Sequence, residues 1–174
     1  LKKLDNHRKR NWILALPFLL ILPISILIPE AIAALLPSTY LVELVGRIFP
    51  FIEGYATLSL FPHVTRLTFT VAMVMAAILL PVFLYYQLKI QDFAKLNSSP
   101  GMRYLGWAAG SLALMPFFMM GPVPGQSIRS LPIDLIILQY KLALGIYAAL
   151  LSMFEIIFLA MPVVWIKSKF LKRN

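Results

Sequence analysis

Long apolar runs fill most of this chain, and its dense basic clusters fall at alternate ends of those runs. Lys2, Lys3, Arg8, Lys9 and Arg10 precede the first run, Lys89, Lys95 and Arg103 lie between the second and third, and Lys167, Lys169, Lys172 and Arg173 follow the last. Lys and Arg concentrate on the cytoplasmic side of membrane proteins, so this alternation predicts a polytopic chain with both ends in the cytoplasm. Composition agrees: 60% of the 174 residues are hydrophobic and 13% charged, whereas about 25% are charged in a typical soluble domain.

The expected architecture is all-α, one integral-membrane domain over residues 1–174 built as a four-transmembrane-helix bundle with a short interfacial helix in the first outer loop. The spans are expected at about 12–29, 67–88, 104–120 and 142–166, each near the roughly 20 residues that a bilayer requires. Trp12 anchors the first span, in which Pro17, Pro23 and Pro29 recur and predict a bent helix. No small-residue cleavage site follows this run, which reads as a retained span rather than a signal peptide. Tyr85, Tyr86 and Lys89 mark the inner end of the second span, and Trp165 with Lys167 that of the fourth. Asn97 to Gly101 form a short inner turn, and Gly121 to Gly125 a rigid outer one.

Between the first two spans, Leu41, Leu44, Val45, Ile48 and Ile52 recur at helical spacing opposite Glu43 and Arg47. This pattern predicts an interfacial helix over about 39–52, capped by Ser38 or Thr39 and ended or kinked by Pro50. On this topology the inner segments hold twelve Lys and Arg against Asp5 and Asp92. The outer ones hold Arg47, Arg66, Arg129 and Lys141 against Glu30, Glu43, Glu53 and Asp134. That asymmetry also accounts for the net charge of +9, so no nucleic-acid partner is expected; the lipid bilayer is the first partner.

Two ionisable residues are candidate intramembrane polar sites. Glu155 lies well inside the fourth span, where an Asp on translocon scales costs about 2.5–3.5 kcal/mol. Its readings are a proton or cation relay, a contact to a partner helix, or a hydrogen bond to Ser111, Ser152 or a tyrosine that locks the bundle. Lys141 lies about 21 Å away along the same helix, too far to pair, and is matched instead with Glu30 or Asp134. Gly106 and Gly110 form a GxxxG spacing that Ala109 and Ala113 extend, a face for intramolecular packing or for a partner. Ala72, Ala76, Gly145 and Ala149 are the expected counterfaces, and the methionines read as apolar filler.

Chemistry is otherwise sparse. The chain contains no cysteine, which excludes disulfides, thiolate metal sites and thiol catalysis. His7 and His63 fall on opposite sides of the membrane by the expected topology, so they form no shared metal site. No phosphate-binding loop, zinc-protease motif or nucleophile elbow is present. No cofactor and no enzymatic activity are expected.

The whole-chain layout resembles the colicin A-type immunity proteins, with four spans, a larger first outer loop, a smaller second one and a basic tail. The most local likeness is the ending from Phe158 to Arg173, where a span containing Pro162 runs into a Lys-rich tail. The resemblance implies a bacterial inner-membrane protein that meets a membrane-inserting, pore-forming toxin and stops its channel opening, by helix-against-helix recognition without catalysis. The segment from Leu41 to Ile52 and the face around Gly106 are then the places of contact. The alternatives are an accessory subunit of a larger membrane complex, and a small transporter or channel component using Glu155.

Overall fold

Prolines and charged side chains set where the helices begin and end. The structure, a computed structural model, describes residues 2–35, 39–90 and 139–170. Helix α1 (Lys2–Leu27) passes through Pro17 and Pro23 without a break. Each proline removes one donor, from the bonds that would reach Ile13 and Leu19, but the apolar side chains around them keep the helix packed. Pro29 disfavours helical backbone in the residue before it, and α1 stops as the Ile28 amide makes a last bond of 3.3 Å to the Ile24 carbonyl.

Three short helices follow: α2 (Glu30–Leu35), α3 (Thr39–Ile48) and α4 (Phe51–Leu58). The segment expected as one helix to Ile52 is therefore two, because Pro50 offers no amide to continue α3 and instead starts α4. Helix α5 (Pro62–Ile90) opens with proline at its first position and continues through Pro81. The last described helix, α6 (Lys141–Phe170), carries Pro162. Among the described residues, α1 from Asp5, α5, and α6 to Val164 are long and apolar enough to cross a membrane. They overlap the expected first, second and fourth spans; the third, with Gly106, Gly110 and Ala113, lies outside the described residues.

Interhelix contacts fix the direction of each long helix. At one end, Glu30 beyond α1 meets the first turn of α5, and Lys141 at the start of α6 reaches Ile28. At the other end, Arg10 of α1 donates to Gln87 of α5 across 3.1 Å. Helices α5 and α6 therefore run parallel to each other and antiparallel to α1. His7 and His63 lie at opposite ends of the bundle, as their expected separation requires.

Two apolar clusters fill the bundle between those ends. The one near Glu30 gathers Ile21, Phe51, Ile52, Tyr55, Phe69, Met73, Leu144 and Ala148 with their neighbours. The one toward Gln87 gathers Ile13, Ala76, Leu79, Phe83, Ile156 and Ala160. Large apolar side chains also point outward, among them Trp12, Leu19, Leu20, Ile78, Val82, Ile146 and Val163. Apolar inside and out, with the charge at the ends, is the pattern of a helical membrane protein.

Candidate functional site

The Glu30 end is held by charges placed on helix termini. Glu30 accepts hydrogen bonds from the His63 and Val64 amides at 2.6 and 3.1 Å. These amides open α5 and have no partner within the helix, so a carboxylate both satisfies them and complements the positive end of the helix dipole. The Lys141 ammonium donates to the Ile28 carbonyl at 2.7 Å, just past the last turn of α1, where a cation is favoured for the same reason. It also lies 5.1 Å from the centre of the Phe61 ring. The expected Lys141–Glu30 pairing is thus replaced by two separate helix caps, and Asp134 lies outside the described residues.

The remaining charges at this end pair between helices rather than along α3. Glu53 and Arg66 form a forked ion pair with contacts of 2.8, 3.0 and 3.0 Å, whereas Glu43 and Arg47 are both exposed. The pair ties α4 to α5. Beneath it, Phe51, Tyr55, Phe69 and Tyr147 form an aromatic cluster with centroid distances of 5.0 to 6.3 Å, and the Tyr55 and Tyr147 hydroxyls share a hydrogen bond of 3.1 Å.

Against this platform α3 presents a divided face. Val45 and Gly46 are buried, while Leu41, Leu44 and Ile48 of the expected apolar face are exposed, together with Tyr40. Ile52 belongs to α4 and is fully buried. The five residues grouped by the sequence pattern therefore divide between packing and an outward apolar surface.

Helices α1 and α6 touch most closely at Gly145. A Cβ there would collide with Ser25 Oγ and come within 3.4 Å of the Leu22 Cα, and Ser25 Oγ donates to the Lys141 carbonyl at 2.8 Å. The counterface of Gly145 is thus α1. Ser25 escaped the sequence reading because an isolated serine on a proline-rich helix carries no signal until its partner helix is known.

Glu155 stands in the interior. It is 7% exposed, the one buried charged side chain among the described residues. Helical geometry agrees: at about 100° per residue, Glu155 points between the direction of Gly145, which abuts α1, and that of Tyr147, which meets α4 and α5. Neither Glu155 Oε1 nor the fully buried Ser152 Oγ has a hydrogen-bond partner among the described residues. The expected Glu155–Ser152 bond is not formed, and Ser111 lies outside the described residues. Thr68 and Thr70 also carry buried, unpartnered hydroxyls on α5. Among the described residues no three His, Cys, Asp or Glu side chains converge on a metal-binding position.

Comparison of the chain with protein-family models, with curated proteins and with solved structures found no match.

Proposed function

We propose that this chain is a non-enzymatic, multi-pass protein of the bacterial inner membrane, with both termini cytoplasmic, that works by helix–helix recognition and protects against a pore-forming toxin. The observation that carries this reading is the outward face of α3: Tyr40, Leu41, Leu44 and Ile48 are exposed on a helix whose Val45 and Gly46 are held against the bundle. A rigid platform that offers an unpartnered apolar helix face suits an arriving amphipathic helix, and α3 lies at the end of the bundle that the charge pattern puts outside. Without a partner, the same face rests in the bilayer interface.

A fourth span is supported by direction. Because α5 and α6 are parallel, the chain between them leaves from the Gln87 end and returns to the Glu30 end. The apolar stretch 104–120 would measure about 26 Å as a helix, enough for most of that return. With four spans, the basic clusters share the cytoplasmic face.

The test is protection of living cells. Bacteria producing the chain are challenged with pore-forming domains of the colicin A type while a potential-sensitive dye reports depolarisation. Producing cells should keep their potential against one of these domains, and Leu44→Asp with Ile48→Asp should remove that protection at an equal protein level. Depolarisation at the control rate by every domain would overturn the proposal.

A further inference from the structure

Glu155 and Ser152 leave two oxygens unpartnered in the interior, and the register of the helices puts a main-chain carbonyl freed by proline at about the same height on α1. Gly145 of α6 abuts Leu22 and Ser25 of α1. Glu155 lies ten residues further along α6, about 15 Å, and the helices are antiparallel, so the same height on α1 falls at residues 12–15. The packing of Ile13 in one cluster with Ile156 agrees with that register. Pro17 is fully buried and has no N–H to give to the carbonyl four residues before it, which is that of Ile13. Ala76 of α5 belongs to the same cluster.

The chemistry at this height is one-sided. A carboxylate, a hydroxyl and a main-chain carbonyl are hard oxygen acceptors, and the nearest cation on α6 whose side chain is described, Lys167, lies about 18 Å away along the helix. A proton would satisfy one oxygen pair, whereas a bound cation satisfies all three and neutralises the buried charge. One carboxylate among neutral oxygens balances a single positive charge, and oxygen ligands select hard ions. Main-chain carbonyls freed from helical bonding are the acceptors that membrane proteins turn toward such ions. We propose that Glu155, Ser152 and the Ile13 carbonyl hold one monovalent alkali cation, sodium or lithium, inside the bundle. Thr68 and Thr70 lie nearer the Glu30 end, at the level of Phe69 and Tyr147, and belong to no such group.

This site does not depend on the toxin reading and is tested on the purified full-length chain in mild detergent. Tryptophan fluorescence reports melting in sodium, lithium, potassium or choline chloride at one ionic strength and one pH. At ten times the dissociation constant, sodium or lithium should raise the melting temperature by about 3–6 °C over choline. Glu155→Gln should abolish the difference, and Ser152→Ala should reduce it, which keeps the test decisive if the first variant does not fold. Equal melting of the native chain in all four salts would overturn the proposal. So would melting that follows pH but no cation, which assigns the carboxyl a proton alone, or a full cation effect in both variants, which places the site elsewhere.

Discussion

Gly145 and Ser25 show how much of the packing depends on single atoms. The glycine lets α6 approach α1 until Ser25 Oγ can reach the Lys141 carbonyl. Gly145→Ala puts a methyl group into that hydroxyl and should destabilise the bundle by about 1–3 kcal/mol in detergent melting. Gly145→Ala with Ser25→Ala should recover part of the loss, because the second change removes the obstacle; no recovery would show that the Leu22 backbone sets the limit. Glu155 was legible in the sequence because a carboxylate in an apolar run has no topological explanation, and the structure places it in the interior. The role of Lys141 was less legible. Its charge suggested a carboxylate partner, but its ammonium reaches a main-chain carbonyl, and no residue pattern encodes the direction of a neighbouring helix terminus.

At the scale of elements, the long helices followed from hydropathy and the short ones from proline. Runs rich in Leu, Ile, Phe and Val left no alternative to α1, α5 and α6; both ends of α5 and α6 and the start of α1 extend past the expected spans, since a helix can continue where its apolar run has stopped, whereas α1 ends at Leu27, short of its expected end. Pro50 gave warning of the break between α3 and α4, but periodicity alone carried Ile52 into the wrong helix. Burial then reversed its meaning, from interfacial side chain to core. The sequence offers Glu30 as an outer charge and a partner for Lys141, and its value as a cap appears once α5 is seen to begin beside it. Glu30→Ala should cost about 0.5–2 kcal/mol and speed amide exchange at His63 and Val64, with little change at the far end of α5. Glu53→Gln should matter less, by about 1 kcal/mol or under, because its pair with Arg66 is part-exposed, 47% and 30% respectively.

For the whole molecule, the alternation of basic clusters predicts an orientation, while interhelix contacts independently set the relative direction of the long helices. Charge says which ends share a side; Glu30, Lys141 and Arg10 say that α5 and α6 run the same way. On the proposed membrane placement both call for an odd number of crossings between α5 and α6, and neither depends on what the protein recognises. The outward apolar face of α3 acquires its proposed role only if that arrangement holds. The chain has no native cysteine, so single cysteines placed at half-buried His7 or at exposed Thr57 or Tyr140 can be tested for labelling in intact cells with a membrane-impermeant maleimide. The account predicts labelling at 57 and 140 from outside and at 7 only after the membrane is opened. Labelling of 57 and 140 from opposite sides would make α5 and α6 antiparallel across the bilayer and contradict it.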